Sequence, residues 1–431
     1  MTKRGERQRD NQQWMLDWLV KTTGRVQNFA YDIRVLPPEV KSYRMIPRVM
    51  GKRGVRIEAM ARAAEQAGHR ETACELYWRA AEHFHEGQHA IFQDDNCEKI
   101  YLHGKLLECY DACARNATYT IERVEIPFGD NYIQGVLHLA PGAGKAPTVL
   151  FCPGMDMTKE SWLAPFAHPF VARGFNCLQM DGPGQGVSNI RKIRVTVDNY
   201  ERAGTAAIDY LRGRSEIDPE RIVVSGFSMG SYWGMRIAAT DRRVKAVATA
   251  AACYGPKQAI FNEASPRFKQ VFMYMSGIHD EEKFDAFAEQ MTLDALVPNI
   301  KCPSLMVTGE YDALAHIEEV VAVYQKVGGP KELWVLENNF HNPRFMEHIG
   351  GMEFIGYLAD WLKDALAGRR PANLKREVFI REKEGLGAYT APGTGLFLPE
   401  RFGEKNGSLS PAQLGPAGVK VGTHRGKRDI S

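Results

Sequence analysis

A serine stands between two glycines in the stretch RIVVSGFSMGSYWG, residues 221–234. The apolar run Ile222-Val223-Val224 leads into it, and Gly226 and Gly230 flank Ser228. Small residues on both sides of one polar side chain suit a turn that holds its central residue in strained backbone while strand and helix press close. Such a strand-to-helix elbow raises a serine hydroxyl above the end of a sheet. The hydroxyl is a weak nucleophile at neutral pH. It needs a base within hydrogen-bond reach, an acid to orient that base, and donors aimed at the oxyanion that forms on attack. Asp312 in VTGEYDAL and His341 in WVLENNFHN supply the acid and the base. Glu310 competes with Asp312, and His316 and His348 compete with His341; position directly after an apolar strand favours Asp312 and His341. The oxyanion donors are expected to be the backbone N–H of Met229, directly after the serine, and that of Met155 in the Pro153-Gly154-Met155 loop.

Other patterns invite chemistry and carry less. DGPGQGVS, Asp181 to Ser188, has the glycines of a phosphate loop but not the spacing of a dinucleotide fingerprint, so nucleotide binding is not expected. In HFHEGQH, His85 and His89 share a helix face while His83 points elsewhere; a partly buried polar helix accounts for them better than a metal. Acyl transfer through a serine needs no cofactor and no metal.

The elements that must position these residues can be read from periodicity. Up to residue 116 the chain reads as helical, with apolar residues at three- and four-residue intervals in RIEAMARAAEQAG, RETACELYWRAAEHFHEGQHAIF and EKIYLHGKLLECYDACARN, and Gly68 as a C-cap. From residue 117 the pattern changes. TYTIERVEIPF and YIQGVLHLA alternate in the two-residue strand period around a GDN turn. APTVLFCPG, NCLQMDGPGQG, RIVVSGFSMG, VKAVATAAACYG, PSLMVTGEYD and KELWVLENNFHN are short apolar strands that end in Gly, Asp or His, with helical segments between them. Strand and helix in alternation mean a mostly parallel sheet with helices on both faces, whose strand ends converge on one rim. With the order serine, acid, histidine, this predicts an α/β-hydrolase fold. Residues 254–300 break the alternation and read as a helical lid insertion; 117–368 is the core, and 369–431 is a Gly/Pro-rich tail. Phe379, Tyr389, Leu396 and Phe397 could anchor that tail.

Bulk composition sets the remaining bounds. The chain has 431 residues, 44% hydrophobic and 25% charged, with a net charge of +3. There is no basic stripe for nucleic acid, no apolar run long enough to span a membrane and no signal-peptide pattern. The eight cysteines are dispersed without a CxxC pair and read as reduced thiols of a cytoplasmic protein.

A resemblance then becomes usable. The helical leader followed by PGMDMTKES, DGPGQG, GFSMGSYWG, GEYDAL and NNFHN resembles the 2,6-dihydroxypseudooxynicotine hydrolases and the fungal yellowish-green pigment hydrolases that shorten polyketides, over roughly residues 55–368. The resemblance implies hydrolysis of a C–C bond next to a ketone in a β-diketone-like polyketide or aromatic substrate, a triad of Ser228, Asp312 and His341, a helical domain covering the site, and a homodimer. It also implies a role for Asp156, where the family has a functional glutamate. Tyr77, Trp78 and Phe84 of the helical leader, with Phe272 and Tyr274 of FKQVFMYM, are candidates for an apolar substrate pocket; ordinary packing is the competing account of each. The triad is shared by esterases and amidases, so those remain open, as do cyclisation or acyl transfer and a partner-binding regulator on a hydrolase scaffold.

Overall fold

The computed structural model describes residues 36–142, 144–155, 157–341, 346–382 and 386–389. Three long helices come first: α1 (Ile46–Gln66), α2 (Arg70–His89) and α3 (Cys97–Asn116). Gly68 takes φ +80° between α1 and α2, and the His69 N–H closes back on the Ala64 carbonyl. This is the left-handed turn that only a residue without a Cβ adopts freely. The helices pack tightly, and a Cβ on Gly54 would sit 2.9 Å from the Phe84 ring.

A nine-stranded sheet follows: β1 (Ile121–Phe128), β2 (Asn131–His138), β3 (Ala146–Cys152), β4 (Asn176–Met180), β5 (Ile217–Phe227), β6 (Val247–Ala250), β7 (Ser304–Gly309), β8 (Lys331–Leu336) and β9 (Lys375–Ile380). Its spatial order is β1-β2-β4-β3-β5-β6-β7-β8-β9. β1, β2 and β4 pair antiparallel, and every later pairing is parallel. The central strands are apolar throughout because both faces are covered. Leu150, Val224, Met306 and Val335 point into one core, under α5 (Asn199–Arg212) and α6 (Met229–Thr240). Val149, Val223, Leu305 and Trp334 point into the other, under α10 (Ile355–Leu366). The two-residue alternation of a strand thus distributes one apolar run between two cores.

Between β6 and β7 lie a π-helical turn over Lys257–Glu263 and the helices α7 (Pro266–Ser276) and α8 (Glu281–Ala288). Phe261, Phe272 and Phe284 stack here with ring centroids 5.0–6.1 Å apart. The short helix α4 (Gly186–Ile190) follows the glycine-rich turn, and α9 (Ile317–Lys326) follows the loop carrying Asp312.

The strand β9 corrects the reading of 369 onward as a tail. Lys375–Ile380 completes the sheet in parallel register with β8, Lys331 opposite Lys375 and Leu336 opposite Ile380. The buried Glu332 accepts from the indoles of Trp334 (2.8 Å) and Trp361 (3.0 Å) and pairs with Arg370 (3.7 Å) and Arg376 (3.3 Å), which ties the strand to the sheet. Phe379 packs at the edge of the core and Tyr389 is exposed, 6.2 Å from the Tyr357 ring. Leu396 and Phe397 lie outside the described residues.

Candidate active site

The serine elbow follows directly from its glycines. Ser228 follows β5 with φ +56° and ψ −128°, a region a residue with a Cβ occupies only under constraint. A Cβ on Gly226 would collide with the Gly230 carbonyl, and one on Gly230 would collide with the carbonyls of Cys152 and Pro153. The elbow is therefore pressed against the end of β3. The turn is held by the Ser228 N–H donating to Ala250 O (3.0 Å) and the Ser231 hydroxyl donating to Ser228 O (2.6 Å).

Asp312 follows β7 and His341 follows β8. Gly309 lets the two loops meet, because a Cβ there would strike the Asn339 and Phe340 carbonyls. His341 Nε2 lies 2.8 Å from the Ser228 hydroxyl, and His341 Nδ1 lies 2.9 and 3.0 Å from the two Asp312 carboxylate oxygens. Asp312 is buried, and one of its oxygens also accepts from the Leu314 N–H at 2.9 Å. In this arrangement the imidazole can take the serine proton on Nε2 while the carboxylate holds the opposite N–H. Phe227 and His341 lie edge to face at 6.1 Å, with Trp162 behind Phe227 at 4.0 Å, so aromatic rings back the imidazole.

The rival residues are engaged elsewhere. Glu310 accepts from the Asn338 N–H, His316 pairs with Glu263 at 3.0 Å, and His348 contacts the Glu337 carbonyl. The Met229 N–H opens α6 directly after Ser228, so it sits at the positive end of a helix. Met155 is buried in the turn after β3, and a Cβ on its neighbour Gly154 would be 3.7 Å from Ser228 Cβ. The loop thus flanks the serine. Asp156 lies outside the described residues.

The pocket residues divide. A narrow cleft of about 30 Å3 lies between α2, the glycine-rich turn and α7, lined among others by Gln88, His89, Lys99, Thr158, Gln185 and Tyr274. Of the five expected pocket residues, Tyr274 alone lines it. Tyr77 donates to Glu65 at 2.7 Å inside the helical leader, Phe84 fills the space beside Gly54, and Phe272 belongs to the Phe261–Phe284 cluster. Trp78 packs edge-on against Phe166 at 5.5 Å. None of these four lines this cleft, so they are corrected from its walls to packing residues, Tyr77 through a hydrogen bond and the others through ring contacts. In the cleft, Lys99 Nζ donates to the Gln88 backbone and side-chain oxygens and to Ile91 O at 2.8–3.0 Å, and Thr158 Oγ1 is a buried hydroxyl with no protein partner among the described residues. The residues of HFHEGQH are held by protein groups: His83 by Arg79 O at 2.8 Å, His89 by Arg267. No group of three or more potential metal ligands is assembled among the described residues.

Two neighbours of the site were not singled out by sequence. Cys253, beyond β6, lies 3.8 Å from the Ser228 hydroxyl, and burial holds its thiol well above the ordinary range, so it stays protonated. Gln185 reaches the Gly154 carbonyl at 2.7 Å. The only sequence signal for it was its place in the glycine-rich turn. That turn is anchored by Asp181, which accepts from Lys159 Nζ and the Lys159 N–H at 2.8 Å and from the Val187 N–H at 2.8 Å, with Lys159 fully buried.

Glu319 on α9 offers a pH test of stability near the site. Burial raises its carboxyl from 4.5 to about 7; His316 pulls it down, and Glu263 and Glu318 push it up. The folded chain therefore keeps a proton that the unfolded chain releases between these two values, and stability falls as pH rises through that window. The stability of Glu319→Gln relative to the wild type should grow by about 1–2 kcal/mol between pH 4.5 and 8, after allowance for partial exposure. Denaturant melts of both proteins at the two pH values measure this; a constant difference would contradict it.

Comparison with known proteins agrees with this architecture. A solved structure of 2,6-dihydroxy-pseudo-oxynicotine hydrolase superimposes with a TM-score of 0.68 at 22% identity, covering 84% of this chain and 98% of that chain. The fold is the α/β-hydrolase fold, with a helical N-terminal region. Among curated proteins, the α/β hydrolase xenA of Xenoacremonium sinensis is 28% identical over 249 residues, 54% of this chain and 57% of its own. The 20-hydroxy-prefusarin hydrolase FUS2 of Gibberella moniliformis is 28% identical over 250 residues, 54% of this chain and 58% of its own. The chain spans about half the length of the curated relatives it matches. No helix among the described residues is long and apolar enough to cross a membrane. The family model described as "Esterase FrsA-like" matches residues 55–290, more than half of the sequence, and the protein belongs to the FrsA-like esterase family.

Proposed function

We propose that the protein is a serine hydrolase that cleaves the C–C bond beside a ketone in a β-diketone-like polyketide or aromatic substrate. The observation that carries the hydrolase reading is the 2.8 Å approach of the Ser228 hydroxyl to His341 Nε2, with His341 Nδ1 at 2.9 Å from Asp312. His341 takes the serine proton and Ser228 Oγ bonds to one carbonyl carbon. The oxyanion is held by the N–H groups of Met229 and Met155. When the tetrahedral intermediate collapses, the C–C bond breaks and its electron pair leaves on the carbon between the carbonyls as an enolate. The imidazolium of His341 returns the proton to that carbon. Water, deprotonated by His341, then splits the acyl-serine into a carboxylate and free Ser228. The second carbonyl is what makes the departing carbon a leaving group.

The cleft bounded by Gln88, Lys99, Gln185 and Tyr274, which must widen to admit a substrate, is the proposed way in to Ser228. Its walls come from helical leader, core and insertion together, which supports a covering role for the leader and a lid role for the insertion. The resemblance drawn from the motifs supports the ketonic substrate class, and the relative named as a 20-hydroxy-prefusarin hydrolase supports hydrolysis. The family's description as esterases favours a second reading, carboxylester hydrolysis by the same acyl-enzyme route. Turnover of a panel of aryl and alkyl β-diketones against p-nitrophenyl esters separates them. The C–C reading expects acid and ketone products from at least one diketone; fast ester turnover with every diketone intact would overturn it.

A further inference from the structure

We propose that Gln185 is a positioning residue that locks the Gly154–Met155 peptide with its N–H turned toward the oxyanion, an inference that rests on the reading of Ser228 as the nucleophile. The Gly154 carbonyl and the Met155 N–H belong to one planar trans peptide, so fixing where the carbonyl points fixes the N–H in the opposite direction. Gln185 Nε2 donates to that carbonyl at 2.7 Å, and the Met157 N–H donates to it at 3.3 Å. A lock is needed because Gly154 has no Cβ, and a glycine peptide can turn over with little steric cost.

The amide is itself held. The Tyr200 hydroxyl donates to Gln185 Oε1 at 2.8 Å, which leaves the NH2 end facing Gly154. The Tyr200 ring lies flat on Trp233, with centroids 4.0 Å apart and planes 2° apart. Trp233 belongs to α6, the helix whose first N–H is the other oxyanion donor. Gln185 is 1% exposed, Tyr200 1% and Trp233 2%. Glycines make room for the chain of contacts: a Cβ on Gly182 would overlap the Tyr200 ring, and one on Gly186 would overlap the Asp181 carboxylate. The turn DGPGQG therefore binds no phosphate in this account. It delivers one amide to the back of the oxyanion loop and references it to the nucleophile helix.

The test uses a p-nitrophenyl ester, which needs only acyl-enzyme chemistry. Gln185→Leu should lower kcat by roughly 10- to 100-fold, since the N–H it orients stabilises charge present only in the transition state. Gln185→Glu is nearly isosteric. Ionised, it repels the Gly154 carbonyl; protonated, it donates to that carbonyl and still accepts from Tyr200. The ratio of its kcat to that of the wild type should therefore rise as pH falls. Affinity for a trifluoromethyl ketone should fall in step with kcat/KM in both variants. A Gln185→Leu enzyme with kcat within about three-fold of the wild type, or a Gln185→Glu ratio flat with pH, would overturn the proposal. If Gln185→Leu fails to fold, the pH ratio of Gln185→Glu decides alone. Wild-type ester turnover with every β-diketone intact counts against the C–C reading and not against this one.

Discussion

Ser228→Ala should lower kcat on any substrate the enzyme turns over by at least roughly 10^4-fold while leaving the fold intact. The fold should survive because the elbow is held by backbone and by Ser231, not by the Ser228 hydroxyl. The Ser228 N–H to Ala250 and the Ser231 hydroxyl to Ser228 O both remain after the substitution. Activity should not survive, because no other nucleophile among the described residues is within reach and ready. Cys253 is 3.8 Å away, but its thiol is kept protonated by burial and its sulfur already donates to Leu314 O at 3.3 Å. His341→Ala should cost a similar factor, and the double variant should be little worse than either single one, because the residues act as a unit. Asp312→Asn should cost roughly 10^3- to 10^4-fold by favouring the wrong imidazole tautomer. Steady-state kinetics with thermal melts measure all four. Ser228→Ala with more than about one per cent of wild-type kcat would mean the chemistry runs elsewhere.

Gly230→Ala should cost both stability and activity, and for a purely steric reason. The added methyl would enter the space of the Cys152 and Pro153 carbonyls, at the end of the strand that leads into the oxyanion loop. Nothing there is the flexible end of a side chain. The backbone itself must move, so nucleophile helix and oxyanion loop must part. A destabilisation of about 3 kcal/mol or more is expected, with kcat lower by roughly 100-fold or more because the oxyanion donors lose their spacing. Gly234→Ala on the same helix is a control, since its nearest would-be contact is the Val224 side chain at 3.3 Å. Denaturant melts and kcat on both variants report this. Wild-type behaviour of Gly230→Ala would contradict the packing of the elbow described here.

The meeting of strand-end residues was legible in the sequence because apolar strands announce themselves and their last residues cannot avoid one rim of a parallel sheet. Ser228, Asp312 and His341 lie 84 and 29 residues apart in sequence and still come within hydrogen-bond distance. What was not legible depended on partners distant in sequence. Lys375–Ile380 reads as part of the Gly/Pro-rich tail because an edge strand carries polar residues, and only its pairing with β8 and the buried Glu332 reveals it. Tyr77, Phe84 and Phe272 read as pocket walls because aromatic content says nothing about which face a ring takes. Gln185 and Tyr200 are 15 residues apart across a loop and a short helix, and no periodicity pairs them.

The most direct measurement is covalent. The wild-type protein should react with a fluorophosphonate, and digestion with peptide mass spectrometry should find the adduct on the side chain of Ser228 alone. The labelling rate should fall at least roughly 100-fold in His341→Ala, because the imidazole removes the serine proton. An adduct on another residue, no adduct at all, or an unchanged rate in His341→Ala would contradict the account at its centre.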